Sequence, residues 1–271
     1  MMWLLWLRAW RDVGAQTVCP RNEARCKANA DATMVFLMRC SGYGALAQLP
    51  PACRDTRIIS NLIIRQGTTV DTLQHRILDG LRIRQLELVR LGIRSISASA
   101  FEAISRDLQV LHLQDNQLES LPLGVFRTIL NLVRLQLHNN RLTQLSDGVF
   151  SGLVNLVYLS LNMNQISAID PATWHAVPRL VTLMLQDNRL SDGRIVFPEG
   201  ALGRLEELQL DGNGLDAITV SGLLNLHRLY FRSNNVNSLP LGTFGANPRL
   251  EVLDLSGNNI THLTADSFSS K

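Results

Sequence analysis

Apolar residues recur along most of the chain at a near-constant spacing. The segment from Leu108 to Leu118 has the form L-x-x-L-x-L-x-x-N-x-L, where x is mostly polar. Copies with the asparagine begin at residues 108, 132, 156, 180, 205, 226 and 250, and looser copies begin at 59 and 83. Successive copies start 21 to 25 residues apart. This regularity indicates a tandem repeat of about nine units.

Each repeat predicts one short strand. The alternation places Leu111 and Leu113 on one face, and His112 and Gln114 on the other, which is the period of an extended chain. A single strand of this kind cannot bury its leucines. Stacked side by side, the repeats form a parallel sheet over a continuous core, so we predict a solenoid.

Two further columns of residues follow the same period. The asparagines lie where the chain turns inward after each strand, and there their amides can bond backbone groups that would otherwise be buried and unpaired. An aromatic column stands ten residues after the asparagine slot, at Phe101, Phe126, Phe150, Trp174, Phe244 and Phe268. We predict that both columns are structural and that the aromatics pack in the core.

Composition and charge narrow the classes of function. The chain has 48 leucines and 46% hydrophobic residues, which is ample for a core. Its formal net charge is +3, and the 24 arginines are scattered without runs. We therefore expect no nucleic-acid partner. No apolar stretch reaches the roughly 20 residues that span a bilayer, so a membrane partner would require a further C-terminal segment.

The two ends of the chain differ from the repeats. Residues 1–15 are apolar at first and end in Val13-Gly14-Ala15, which indicates a possible signal peptide interrupted by Arg8, Arg11 and Asp12. Residues 16–58 hold all four cysteines, Cys19, Cys26, Cys40 and Cys53. Without a C-x2-C pair, a zinc site is less favoured than disulfides. Residues 59–271 carry the repeats and end without cysteines, so we expect the chain to be part of a longer protein.

The repeats resemble the leucine-rich repeat over residues 59–268. Leu-Pro-Leu-Gly at 121–124 and 239–242 is similar to the 24-residue class of extracellular animal proteins. The resemblance implies an α/β solenoid shaped as a curved horseshoe. It has a parallel sheet on the concave face and an irregular or short-helical convex side.

The same resemblance implies that residues 16–58 form a cysteine-rich N-terminal cap. The family cap usually contains a C-x-C pair, which this chain lacks. Three disulfide connectivities are open to four cysteines. Among them we favour Cys19–Cys26 together with Cys40–Cys53.

Candidate binding residues lie at the outward strand positions, because the strands of a solenoid line a ready binding surface. Tyrosine and arginine are the types enriched at interface hot spots, although any single one can be a merely solvated position. The predicted ligand-binding set is Arg134, His138, Tyr158, Asn162, Met184, Glu207, Asp211, Arg228, Tyr230 and Arg232.

No motif supports catalysis. The chain lacks G-x-S-x-G, H-E-x-x-H, P-loop and dinucleotide-binding fingerprints. His112 and His138 lie on neighbouring strands, but no third metal ligand is apparent. We predict no catalytic residue, no metal and no cofactor. One sequon, Asn259-Ile260-Thr261, makes Asn259 a glycosylation candidate in a secreted protein.

The leading hypothesis is a non-enzymatic extracellular module that captures a protein ligand on its concave face. By resemblance it belongs with the ectodomains of Toll-type receptors, Slit-like proteins and leucine-rich adhesion proteins, as a receptor, adhesion protein or secreted binder. The alternative is an intracellular leucine-rich-repeat adaptor, in which the cysteines would be reduced. The sequence predicts neither the ligand nor the oligomeric state.

Overall fold

The computed structural model describes most of the repeat region. It covers residues 16–18, 25–30, 36–41, 59–65, 70–74, 78, 81–190, 195–263, 266 and 268, with backbone alone for 16–60 and for residue 65. The predicted signal peptide, Cys19 and Cys53 lie outside these residues. No helix in the described part is long and apolar enough to cross a membrane.

Sixteen strands are assigned within the described residues. In chain order they are β1 (Gln16–Val18), β2 (Arg25–Ala30), β3 (Phe36–Ser41), β4 (Ile59–Arg65), β5 (Thr72–Leu73), β6 (Ile83–Val89), β7 (Ser95–Ile96), β8 (Val110–His112), β9 (Arg134–Gln136), β10 (Gln144–Leu145), β11 (Tyr158–Ser160), β12 (Ala168–Ile169), β13 (Thr182–Met184), β14 (Glu207–Gln209), β15 (Arg228–Tyr230) and β16 (Val252–Asp254).

Twelve of these strands form one sheet that follows the chain. Its order is β1-β2-β3-β4-β6-β8-β9-β11-β13-β14-β15-β16. Strands β1 to β3 pair antiparallel, and every pair from β3–β4 onward is parallel. Each of the nine predicted repeats contributes one strand, β4 being the first and β16 the last. The predicted leucine-rich-repeat solenoid is therefore confirmed.

The side of the solenoid opposite the sheet is built from short pieces. In the described residues these are two 3-10 helices, Glu102–Ile104 and Pro171–Ala176, and the two-stranded pairs β5–β7 and β10–β12. The second 3-10 helix begins at residue types that favour a helix N-terminus. Asp170 accepts a hydrogen bond from the Ala172 amide at 2.9 Å, and proline occupies the first turn.

The core is one layer of apolar side chains per repeat, stacked in register. The central leucine of each strand pairs with its counterpart in the next, as Leu135 does with Leu159 and Leu159 with Leu183. All three are fully buried. Burial of a leucine stabilises by roughly 1.5–3 kcal/mol. The many leucines of the chain are thus spread evenly along the solenoid.

The asparagine column holds adjacent repeats together. The Asn164 amide nitrogen donates to the carbonyls of Leu161 in its own repeat (2.9 Å) and Leu137 in the preceding one (3.0 Å). Its side-chain oxygen accepts from the Leu142 amide at 3.0 Å. Equivalent carbonyl bonds recur at Asn116, Asn140, Asn188, Asn213, Asn234 and Asn258. The predicted structural role of the column is confirmed.

A left-handed turn precedes each asparagine slot. The residue there has φ between 52° and 58° in six repeats, at Arg90, Asp115, Asn139, Met163, Asp187 and Ser233. Glycine, Gly212 or Gly257, stands at the same place in two others. Side chains such as those of arginine and methionine rarely adopt this conformation. The repeated turn is therefore imposed by the stacking of the repeats.

The aromatic column is continuous over its first three members. Phe101 and Phe126 stack at 6.0 Å between ring centroids, and Phe126 and Phe150 at 6.4 Å. At the other end, Phe244 stacks on Phe268 at 5.6 Å. Phe101, Phe126, Phe150, Trp174 and Phe244 are buried, which confirms the predicted core role for five of the six aromatics. The prediction is wrong for Phe268, which is 48% exposed.

The backbone of the cysteine-containing segment continues the sheet. In the antiparallel β2–β3 pair, Cys26 is the register partner of Cys40. Because Cys19 and Cys53 lie outside the described residues, the favoured connectivity remains a prediction.

We expect the asparagine column to dominate local stability. Asn164→Ala removes the partner of four backbone groups, and we expect it to lower the free energy of unfolding by about 2–4 kcal/mol in urea titrations. Asn131→Ala is the matched control, because the exposed Asn131 makes one side-chain bond, to the Arg106 carbonyl. Its cost should stay below about 1 kcal/mol. Equal losses in the two variants would contradict this role.

Candidate functional site

The ten predicted binding residues all lie on one surface of the sheet. They stand at the outward positions of five neighbouring strands, β9, β11, β13, β14 and β15, or directly after those strands. We call this surface the concave face. The parallel register produces it, because Tyr158 lies between Arg134 and Thr182, and Glu207 lies beside Arg228.

Three of the predicted residues form a chain of contacts across adjacent strands. The Arg134 guanidinium carbon stands 4.7 Å from the centre of the Tyr158 ring, which is a cation–π contact. On the other side, the Tyr158 hydroxyl donates to the Met184 sulfur at 2.7 Å. Burial raises the pKa of Tyr158, while the nearby Arg134 opposes that shift. Met184, an apolar member of the predicted outward set, is half-buried.

A second group is linked through a serine. His138 Nδ1 lies 3.2 Å from the Ser160 hydroxyl, which donates to the Asn162 side-chain oxygen at 2.7 Å. Burial lowers the pKa of His138, and the Asp115 carboxylate partly offsets this. The hydroxyl thus holds His138 and Asn162 in fixed positions on adjacent repeats.

The third group carries paired charges. Arg228 lies 3.7 Å from Glu207, and Arg232 lies 3.6 Å from Asp254. Asp211 accepts from the Arg232 amide at 2.6 Å. Burial, together with the nearby carboxylates of Asp254 and Asp187, raises the pKa of Asp211. This end of the concave face is therefore rich in charge of both signs.

Two supporting residues of the concave face, Gln209 and Ser160, lie outside the predicted binding set. Gln209 donates to the Glu207 carboxylate at 2.6 Å, and Ser160 bridges His138 and Asn162. Both stand in the outward columns, so position could have identified them. Residue type alone favours tyrosine and arginine and gives no weight to Ser160 and Gln209, which position His138, Asn162 and Glu207.

The first repeats carry a separate polar pair on the same side of the sheet. Glu87 lies 3.9 Å from His112 Nδ1 and accepts from Gln85 at 2.9 Å. His112 is thus placed beside Glu87, whereas His138 is placed beside Ser160. No group of three or more histidine, cysteine or carboxylate side chains in the described residues is arranged to hold a metal ion.

The sequon asparagine lies at the surface. The Asn259 side chain is exposed, and its backbone amide donates to the Val236 carbonyl at 2.8 Å. An attached glycan would have access to solvent at this position. Glycosylation remains a prediction.

We expect His138 to titrate below the ordinary histidine pKa of about 6.5, because burial favours the neutral ring. Folding then weakens proton binding, so stability is full above the unfolded pKa and falls as the pH drops below it. NMR titration of the ring protons measures the pKa directly. Asp115→Asn should lower it further, since it removes the carboxylate that stabilises the charged ring. A His138 pKa above 6.5 in the native protein would contradict this assignment.

Comparison with known proteins agrees with the geometry. The leucine rich repeat family model matches residues 130–190 and 224–270. The TLR13 chain in a complex with ssRNA13 is 23% identical over 76% of this chain and 27% of its own, with a TM-score of 0.52. The APL1 leucine-rich repeat domain is 21% identical over 82% of this chain and 69% of its own, with a TM-score of 0.50. No curated protein matches. In its fold and in these matched segments, the chain is similar to leucine-rich-repeat proteins.

Proposed function

We propose that this protein is a non-enzymatic extracellular binding module, which holds a protein ligand on its concave face within a cell-surface receptor, adhesion protein or secreted binder. The observation that carries the proposal is the contact chain Arg134–Tyr158–Met184 across three adjacent strands. It presents a half-buried aromatic side chain in a fixed orientation at the surface of a rigid sheet.

Preorganisation favours this chain of contacts as a binding centre. Arg134 and Met184 hold the Tyr158 ring from two sides, so its rotamer is restricted before a ligand arrives. Ordering a free side chain at an interface costs about 0.5–1.5 kcal/mol. Tyrosine and arginine together provide apolar area, a hydroxyl and a charge. These are the features of interface hot spots.

The charge pattern supports a protein ligand over a nucleic acid. The TLR13 chain is similar to this one in fold and is in a complex with RNA. A phosphate backbone needs unbalanced positive charge. On this concave face Arg228 and Arg232 lie beside Glu207 and Asp254. Protein surfaces offer charges of both signs and match such a pattern.

The concave face offers no activated nucleophile among the described residues. Ser160 lies next to His138, which suggests a nucleophile and base at first sight. Its hydroxyl donates to Asn162 and not to the histidine, and the residue is only 1% exposed. A substrate cannot reach it, and the ring does not activate it. This supports a binding role.

Three sequence features support an extracellular location. They are the leader-like residues 1–15, the four cysteines within residues 16–58, and the sequon at Asn259. Cysteines grouped at one end suit an oxidising compartment. The intracellular adaptor, the alternative, has no observation in its favour and would contain free thiols.

We expect Tyr158→Ala to weaken ligand binding about tenfold or more, because it removes the centre of the contact chain. An array of individually purified ectodomains and secreted proteins serves as the probe, and biolayer interferometry measures each affinity. Arg134→Ala should weaken the same ligand. Val196→Ala, an exposed site away from the sheet, is the control and should bind normally. Ligands that bind Tyr158→Ala with full affinity would contradict the concave-face site.

We expect the chain to be exported when it is produced in animal cells. N-terminal sequencing of protein from the medium should begin at Gln16, and maleimide labelling without reductant should find no free thiol. Asn259→Gln should lower the mass by one N-linked glycan. Retention in the cytosol with four free thiols would contradict the extracellular proposal and favour the adaptor.

A further inference from the structure

An open groove runs along the edge of the sheet where the chain enters the strands. It has a volume of about 500 Å³ and crosses five successive repeats. We call it the entry groove. Its floor is formed by Val133, Val157 and Val181, and its wall by Asn155, Arg179 and Arg204. None of the ten concave-face residues lines it.

The floor of the entry groove is apolar and accessible. Val133 is 41% and Val157 37% exposed, and the adjoining Leu130 and Val154 are 51% and 46% exposed. Contiguous exposed apolar residues of this kind mark interaction sites. The patch lies on consecutive repeats, so it presents a row of side chains and not a single apolar point.

The backbone of the floor is already paired. The Val157 amide donates to the Val133 carbonyl and the Val181 amide to the Val157 carbonyl, each at 2.9 Å. A ligand therefore cannot join the sheet as an added strand. Recognition has to use the valine side chains and the polar wall.

The polar wall belongs to a column whose members bond from repeat to repeat. Asn155 donates to the Leu130 carbonyl at 2.9 Å, and Arg179 donates to the Asn155 side-chain oxygen at 2.6 Å. Three repeats further along, Arg249 donates in the same way to Asn225 at 2.6 Å. An arginine in this column is therefore normally satisfied by a side chain of the preceding repeat.

Arg204 is the exception in this column. In the preceding repeat the neighbouring residue of the column is Arg179, whose guanidinium contains no hydrogen-bond acceptor. Arg204 makes no side-chain hydrogen bond or ion pair within the described residues. Neighbouring strands stand about 4.8 Å apart, so two like charges face the groove side by side. No carboxylate lines the groove. The exposed Glu206 lies two residues after Arg204 but forms no ion pair in the described structure.

We propose that the entry groove binds an extended peptide segment of a partner protein, with apolar side chains on the valine floor and an aspartate or glutamate against Arg179 and Arg204. A carboxylate supplies the negative charge that is missing beside the two guanidinium groups. Five repeats span roughly 19 Å, which an extended peptide covers with about six residues. This ligand and surface are separate from those of the concave face.

A displayed library of random six-residue peptides tests the proposal without a presumed sequence. It is selected on the wild-type protein and counter-selected on Arg204→Glu. The Arg204-dependent peptides should be enriched in valine, isoleucine or leucine and in aspartate or glutamate. Fluorescent synthetic copies of them should bind Arg179→Glu, Arg204→Glu and Val157→Asp about tenfold or more weakly.

Matched controls separate this site from other causes of lost binding. Arg189→Glu makes the same charge change at an exposed arginine beyond the other end of β13, and should keep full peptide affinity. Tyr158→Ala should also keep it, so failure of the concave-face proposal leaves this result unaffected. Circular dichroism and urea unfolding establish that each variant folds.

Four outcomes would overturn the proposal. The selection could return no Arg204-dependent peptide, or only peptides without acidic residues. The enriched peptides could bind Arg204→Glu as tightly as the wild type. A single-stranded RNA oligonucleotide that loses binding in both arginine variants, in the absence of any such peptide, would assign the entry groove to nucleic acid.

Discussion

The structure depends on satisfying the backbone groups that each repeat buries when the chain turns inward after its strand. The leucine core excludes water from these amides and carbonyls, and an unpaired one costs about 1–3 kcal/mol. One asparagine side chain per repeat meets the need, as Asn164 does for Leu161, Leu137 and Leu142. Because its partners belong to two repeats, the same bonds set the register between neighbours.

That register converts spacing along the chain into rows across the surface. Positions that point inward must be apolar in every repeat, so they cannot vary freely. Positions that point outward, or that stand just before the strand, have no such constraint. Tyr158 and Val157 illustrate the difference, since these adjacent residues lie on the concave face and in the entry groove respectively. A solenoid thus carries two surfaces on one core.

The two surfaces differ in how their arginines are neutralised. On the concave face Arg134 rests on an aromatic ring, and Arg228 lies beside a carboxylate. In the entry groove Arg179 uses an amide oxygen and Arg204 has no partner within the described residues. Because the arginines of the concave face already have partners, that face favours a ligand that fits the shape of the preorganised Tyr158 side chain. An unsatisfied guanidinium favours an acidic ligand.

The sequence by itself determined the repeat, the nine strands, the two structural columns and the sharing of one face by ten outward residues, because periodicity directly encodes which side a residue faces. Only the tertiary structure decided what each residue touches. Met184 is half-buried because the register sets the Tyr158 hydroxyl above its sulfur. Met163 adopts a left-handed conformation that its own side chain disfavours, because the stacked repeats require the turn. Within the described part of the chain Arg204 has no partner, because another arginine, one repeat earlier, occupies the place beside it. Such outcomes depend on pairs of residues about 25 positions apart in the chain. Periodicity predicts that these residues are neighbours, but the interaction that their side chains form depends on the geometry of each pair.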